Sequence, residues 1–381
     1  MGKKEKILTL ILLISFLSSS LLFFSGFKAL EKPSYKTNAE ITAAKKSELM
    51  LSGYTDLTGM RICINDRWNL VWPYTTTNSR LHNPNNKTWA EAAATEDWCS
   101  GTGTWDDPYI IENVYIDCQR NGSGISIWNS NVPCIIRNNY IYNAGSEEHD
   151  CGIMFLQVHN GTITNNTLAY NLDSIWLWES NNNTVSGNIM VNKMGETGGG
   201  GKAVKLTKSN NNTISWNNST NHYDGIVTWD SLYNNISNNF IYTDIFGHYP
   251  ATGLYLINTN YSRITFNTFA GDYAYPNPYG DSIINQLNCV GNDIGDNFNV
   301  NITSNTSTSI KSQSKNLKLQ ASYSWFNLEN SNYNYIYGNR LYIPDYRISL
   351  SIPGYDFNIL IGLIGITSII HITINKIKKR R

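Results

Sequence analysis

The chain has 381 residues, 52 of them asparagine, and its 29 basic and 29 acidic side chains cancel to a net charge of zero. That balance excludes the basic face a nucleic-acid partner requires. A hydrophobic share of 41%, with 11 Trp and 24 Tyr, excludes the apolar-poor composition of a disordered chain.

Lys3, Lys4 and Lys6 precede an apolar run from Ile7 to Phe24, so residues 1–30 read as a secretory signal peptide or a signal-anchor. Residues 31–60 read as a spacer and 61–98 as an N-terminal cap region. Of the six cysteines, Cys63, Cys99, Cys118, Cys134 and Cys151 crowd into the first half of the exported part and are disulfide candidates, with Cys289 further on. Six cysteines allow fifteen pairings, and spacing does not choose among them. No C-x-x-C pair is present, so a zinc or redox motif is unsupported, and no metal or other cofactor is indicated. Twelve Asn-x-Ser/Thr sequons suit a glycosylated surface. The candidate acceptors are Asn86, Asn121, Asn160, Asn165, Asn182, Asn211, Asn235, Asn260, Asn301 and Asn305.

Beyond residue 99 a hydrophobic-x-x-Asn pattern recurs: Ile136/Asn139, Ile163/Asn166, Val185/Asn188, Ile214/Asn217, Ile236/Asn239 and Ile264/Asn267. Asn292 continues it and Ile336/Asn339 restores it after a gap; the spacings from Asn139 to Asn292 are 27, 22, 29, 22, 28 and 25. A second strand, such as "GIMFL" from Gly152 or "GIVTW" from Gly225, stands before each of these. Two or more short strands in such a period indicate stacked coils, not a propeller blade of four strands in roughly 40–50 residues. Coils about 4.8 Å apart set equivalent residues in columns, and a column of asparagines at one turn can bond up and down the stack.

Alternation sends Ile153, Ile175, Val204, Ile226 and Leu254 inward, with Phe155, Leu177, Leu206, Thr228 and Leu256. Met154, Trp176, Lys205, Val227 and Tyr255 then face outward, as do Trp128, Leu156, Trp178, Thr207, Trp229 and Ile257. An aromatic-rich outer face marks a binding surface, unless a loop or the 300–330 excursion covers it and makes it ordinary core. Flat rings suit sugars, so Trp128, Trp176, Trp178, Trp229 and Tyr255 are the ligand-binding candidates. Charges flank the same strand: Asp173, Lys202 and Asp224 at its start, Glu179, Lys208 and Asp230 at its end. Cross-strand ion pairing explains them most simply. Lys202, Asp173, Asp224, Glu179 and Asp230 are nonetheless the catalytic candidates, because a lysine base or a carboxylate pair could serve a lyase or hydrolase. Extra residues gather at one corner before this strand, for example "NKMGETGGGGK" from Asn192, and His149, His222, His248, Tyr273 and Tyr275 fall on or near that rim. Residues 300–318 break the period as a Ser/Thr/Asn-rich excursion.

"GTGTWDDPYIIENVYID" (Gly101 to Asp117), followed by N-x-T-I-x-x-N coils, resembles the right-handed parallel β-helix family of NosD-like and pectin-lyase-like proteins, including the first coil of such domains in archaeal exported proteins. The resemblance covers roughly residues 99–342. It implies an all-β, right-handed parallel β-helix of about 7–9 coils flanked by hydrophobic N- and C-terminal helices. NosD-type proteins are associated with copper delivery, but this chain has six His and no Met- or His-rich cluster, so that role does not carry over.

Residues 343–356 read as a stalk containing "IPGYD" (Ile352 to Asp356). Residues 357–375 form an apolar stretch of membrane-spanning length, and residues 376–381 a basic tail held in the cytoplasm. Together these resemble the tripartite C-terminal sorting signals of archaeal surface proteins. The expectation is a cell-surface, membrane-anchored β-helix that binds glycan or cell-envelope components. A polysaccharide lyase or glycoside hydrolase on the same fold, and a purely structural envelope protein, are the alternatives.

Overall fold

The computed structural model describes residues 46–50, 52–66, 86–145, 149–192, 201–243, 252–271, 282–301, 324–331, 333–337, 339–342, 347–352 and 355–360. Two compact units divide the chain at Leu51. Residues 46–50 of the first are helical. The second holds a parallel β-helix whose coils each carry three strands, one more than the repeat alone indicates.

Sheet I has nine strands, from Ile62–Asn65 to Ser324–Glu329, and its central members are six residues long, such as Asp173–Trp178. Sheets II and III have ten strands each, mostly three or four residues long, exemplified by Thr184–Ser186 and Ile189–Val191. Every pairing within the three sheets is parallel except that of Cys99–Ser100 with Tyr109–Glu112. The helix starts earlier than residue 99: Thr55–Asp56 pairs with Val114–Tyr115, and Ile62–Asn65 pairs with Ile125–Trp128. The expected spacer and cap therefore contribute a first coil. Helix Trp89–Thr95, closed by a Thr88/Glu91 capping box, buries Trp89 and Ala92 against it.

The interior is built from columns. Ile111, Ile136, Ile163, Val185, Ile214, Ile236, Ile264 and Ile294 are all fully buried, whereas Ile336, on the last coil among the described residues, is 38% exposed. Both expected inward columns of sheet I are buried throughout. Each aliphatic so placed contributes roughly 1.5–3 kcal/mol. At the start of each sheet I strand two successive residues face inward, as with Ser174 and Ile175. The first of the two is small in Gly152, Ser174, Ala203, Gly225 and Gly253 and is Ile283 in the next strand; a Cβ on Gly152 would lie 2.8 Å from the Ser174 carbonyl oxygen.

The corner between sheets II and III consists of two residues, one left-handed and one asparagine. Left-handed residues include Asn138, Asn165, Gly187 and Asn238, and the asparagines after them are Asn139, Asn166, Asn188 and Asn239. Asn188 shows the bonding. Its backbone N–H and its Nδ2 both donate to Asn217 Oδ1 (3.0 and 2.9 Å), and Nδ2 also donates to the Ile163 carbonyl (2.9 Å). Its own Oδ1 accepts from the Asn166 backbone and Nδ2, both at 3.0 Å. The file runs Asn139, Asn166, Asn188, Asn217, Asn239, Asn267, Asn297 and Asn339. Asn297, following Ile294, is the true member, and Asn292 belongs to a second ladder, between sheets I and II, with Asn183, Asn212, Asn234, Ser262 and Asn334. A third file, Ser180, Ser209, Ser231, Thr259, Cys289 and Ser331, lines the same corner. Cys289 occupies a hydroxyl rung, with Sγ 3.4 Å from the Leu256 carbonyl oxygen.

Residues 347–352 and 355–360 pair as an antiparallel hairpin, so Phe357–Leu360, at the start of the expected apolar helix, are extended; residues 361–381 and 1–30 lie outside the described residues. Among the described residues no helix is long and apolar enough to cross a membrane.

Asn217→Ala removes a rung and strands the Asn188 donors, so it is expected to cost roughly 2–4 kcal/mol in denaturant unfolding. Asn182→Ala, at an exposed left-handed corner, removes no rung and is expected to cost only about 1–2 kcal/mol.

Candidate functional site

The register confirms the outward columns of sheet I: Met154, Trp176, Lys205, Val227 and Tyr255 align, as do Leu156, Trp178, Thr207, Trp229 and Ile257. The first is not an open stripe. Trp176 is 2% exposed, and Met154, Val227 and Leu156 are also buried. The Lys205 ammonium sits 3.7 Å from the centre of the Trp176 ring, Trp178 stacks on Trp176 at 4.9 Å, and His149 lies 5.5 Å from Trp176. His149, ahead of Cys151–Leu156, thus lies over the outer face, and Met154, Trp176 and Cys151 make a satellite core. Solvent reaches Trp229, 47% exposed, while Trp128, Trp178 and Tyr255 are half-buried.

At the start of the strand Asp173 and Asp224 are buried, with Lys202 between them. The Lys202 backbone N–H donates to Asp173 Oδ1 at 2.8 Å. The side-chain partner of Asp173 at 4.0 Å is Lys205, which sequence spacing did not single out. Burial raises the pKa of both carboxyls, against the pull of Lys202, and brings Asp224 to about 6.

At the other end Glu179, Lys208 and Asp230 all stand in left-handed backbone, in file with Asn129, Gln157, Asn258, Asn288 and Asn330. Their side chains brace neighbouring coils. Gln157 Nε2 donates to Glu179 Oε2 at 2.9 Å, Lys208 Nζ lies 3.9 Å from Glu179, and Asn258 Nδ2 donates to Asp230 Oδ1 at 2.7 Å. Lys208 pairs with one carboxylate, not two, and the row is a turn ladder with a polar outer edge.

His222 is not on the rim. It is fully buried, Nε2 2.9 Å from Ser174 Oγ and Nδ1 3.1 Å from Ser219 Oγ, and burial holds its pKa down at about 3, so it is a neutral strut between sheets I and III. His248, Tyr273 and Tyr275 lie outside the described residues. All six cysteines are buried as free thiols, each packing as a small apolar group. Burial pushes Cys63 and Cys99 up to about 12. Among the sequons, Asn121, Asn165, Asn182 and Asn211 are exposed, Asn86, Asn160, Asn235 and Asn260 are half-buried, and the side chains of Asn301 and Asn305 are outside the description.

Sequence reasoning missed a set of exposed aromatics on the corners that border sheet II: Trp216, Tyr233, Tyr261, Phe266 and Tyr333, all in left-handed backbone. The available signal was an aromatic one place before the ladder residue, where other coils carry Asn, Asp or Gly.

Residues 100–288 match the family described as periplasmic copper-binding protein (NosD). No curated protein matches the chain. Among solved structures, it is similar to the DFA-IIIase from Arthrobacter chlorophenolicus A6, with 14% identity and a TM-score of 0.42, covering 60% of this chain and 58% of that one. It is also similar to a mutant of the periplasmic alginate epimerase AlgG, with 13% identity and a TM-score of 0.35, covering 61% and 50%. The chain thus spans less than two-thirds of either structure. Among the described residues the donor set does not fit copper: no three His, Cys, Asp or Glu side chains converge, and both His222 ring nitrogens face serines.

Asp224 carries a testable pH signature. Its folded pKa of about 6 exceeds the ordinary value of 3.8, so the folded state holds the extra proton. Stability therefore falls as pH rises through that window, and the deficit is complete above about 6. Asp224→Asn is expected to gain roughly 1–3 kcal/mol over the parent at about pH 7.5 and little at about pH 3.5, in denaturant unfolding. An equal gain at both would contradict the assignment.

Proposed function

We propose that this chain is an extracytoplasmic, membrane-held β-helix protein that binds polysaccharide or another envelope glycan without transforming it. The observation that carries this reading is the open edge of sheet I. Trp178 and Trp229 stand two coils apart, about 9.6 Å along the stack. Beside them runs the polar row of Gln157, Glu179, Lys208, Asp230 and Asn258. The rings offer flat apolar faces to sugar C–H groups, and the row offers partners for hydroxyls. Export is supported by the Lys3–Phe24 segment and by the periplasmic description of the matching family, and membrane attachment by the apolar 357–375 stretch with its basic tail. The exposed sequons suit a glycosylated outer surface.

A specific observation favours a second reading, catalysis. Asp173 and Asp224 are buried carboxyls of raised pKa flanking Lys202, at the corner where the longest connections enter. A carboxyl that keeps its proton near pH 6 can donate it to a glycosidic oxygen while an ionised partner activates the incoming water.

Trp178→Ala with Trp229→Ala is expected to reduce retention on a glycan array about tenfold or more with the fold intact by circular dichroism; unchanged retention would remove the sheet I site. Any glycan retained is then incubated with the parent chain. No new reducing ends or unsaturated sugars are expected. Their appearance, and their loss in Lys202→Ala, would establish the catalytic reading, and no retention of any glycan would leave a purely structural envelope role.

A further inference from the structure

The outer face of sheet II carries a second feature, which the sheet I site does not use. Each strand there turns one residue inward and two outward. The first outward position reads Thr162, Thr184, Thr213, Asn235, Arg263 and Asp293 along successive coils. The second reads Thr164, Ser186, Ser215, Ser237, Thr265 and Gly295, of which Thr164 and Ser186 are half-exposed and bonded to each other and the other four are buried. The hydroxyls of Thr162, Thr184 and Thr213 are half-exposed and take no partner among the described residues. The strand charges at the two ends cancel: Arg137 Nε donates to Glu112 Oε2 at 2.7 Å, and Arg263 Nε lies 3.9 Å from Asp293.

Aromatic residues border this face on both sides. Tyr233 and Tyr261 stack at 5.4 Å, 17° from parallel, on the corner where the chain enters sheet II, and Tyr333 continues that file. Gly291 stands between Tyr261 and Tyr333, where a Cβ would come within 2.7 Å of the Tyr261 ring. Trp216 and Phe266 stand on the corner where the chain leaves, two coils apart. With Tyr335 these are six of the eleven exposed large hydrophobic residues among those described, so the apolar surface is concentrated here and not scattered. Trp216 is 69% exposed and Tyr233 55%.

Their backbone makes the placement costly. Trp216, Phe266, Tyr233 and Tyr261 have φ of 58, 58, 56 and 54°. Bulky side chains disfavour that conformation, and the same corners elsewhere carry Asn165, Asn182, Asn211 and Asn238, which adopt it readily. An aromatic that is strained, exposed and packed on no core does nothing for the fold that Asn would not do better.

We propose that the outer face of sheet II is a binding surface for an uncharged polysaccharide, its chain lying along the stack on the rings of Trp216, Tyr233, Tyr261 and Phe266, with half-exposed Thr213 and Asn235 between them. Paired strand charges leave little field for an acidic polymer, and ring faces on both sides with the polar Thr213 and Asn235 between them match a ligand whose faces are apolar and whose rim is hydroxylated. This rests on the glycan-binding reading and adds a second, separate surface and a ligand class.

The test is affinity electrophoresis and titration calorimetry of the full chain in detergent with hydroxyethylcellulose, glucomannan and dextran, and with alginate as the acidic control. Trp216→Asn, Tyr233→Asn and Tyr261→Asn are combined; since Asn is the resident of these corners elsewhere, the melting temperature is expected to hold or rise. The parent is expected to bind at least one neutral polymer more tightly than alginate, and the triple variant to bind it at least tenfold more weakly. Trp178→Ala with Trp229→Ala is expected to leave part of that affinity. Neutral-polymer binding unchanged in the triple variant, abolished by the sheet I pair alone, or weaker than alginate binding overturns this proposal and leaves the broader glycan reading standing. No polysaccharide bound by the parent overturns both. A change only in self-association of the triple variant, seen by sedimentation, assigns the face to a second copy and overturns it as well.

Discussion

The asparagine rung is the constraint on which the rest depends. A coil of three short strands turns sharply three times, and each turn leaves backbone N–H and C=O groups pointing along the stack axis with no strand to meet them. At the corner between sheets II and III one side chain resolves this. Its Oδ1 takes two donors from the coil before, and its Nδ2 reaches both the next asparagine and a carbonyl of the coil before. A carboxylate could accept but not donate, and an aliphatic could do neither. The residue just ahead must turn left-handed to aim the asparagine, which again favours Asn or Gly. Two chemically distinct demands thus select the same residue twice in a row, and this accounts for the composition. It also accounts for the sequons: a left-handed Asn, a ladder Asn and a strand Thr, as in Asn182-Asn183-Thr184, spell Asn-x-Thr as a consequence of the turn.

Once the rungs fix the register, the faces follow. Inward columns fill with aliphatics because every coil presents the same position to its neighbours. Outward columns are free of that demand, so what stands in them reports on something else. On sheet I, Trp176 becomes part of a covered satellite core because Lys205, Trp178 and His149 lie against it. On sheet II the strands are short, the connections into and out of them are tight, and nothing among the described residues folds across the centre. Aromatics there remain in water.

The repeat made the stack legible: the Ile-x-x-Asn spacing located the main ladder in seven of its eight members, and period-two alternation assigned Ile175, Leu177 and their equivalents correctly. Its limits were physical. Three-residue strands such as Asn218–Thr220 carry no alternation to detect, so sheet III was invisible. Thr55–Asp56 belongs to the first coil only through a partner about sixty residues away. Asn292 stood in for Asn297 because two ladders run five residues apart and both are written in asparagine. Whether a residue placed outward meets solvent depends on its neighbours, so the cover over Trp176, the burial of His222 and the approach of Lys205 to Asp173 could not be read from spacing. The left-handed aromatics could have been: Trp216 and Phe266 stand where other coils carry Asn, Asp or Gly.

The register of the tower can be measured directly. One spin label is placed at Asn160, and a second, in turn, at Asn211, Tyr261 and Tyr333. These residues occupy the same corner two, four and six coils further along. Stacking predicts separations of about 10, 19 and 29 Å, rising linearly with coil number. Distances that do not rise in proportion, or that follow the sequence separation instead, would contradict it.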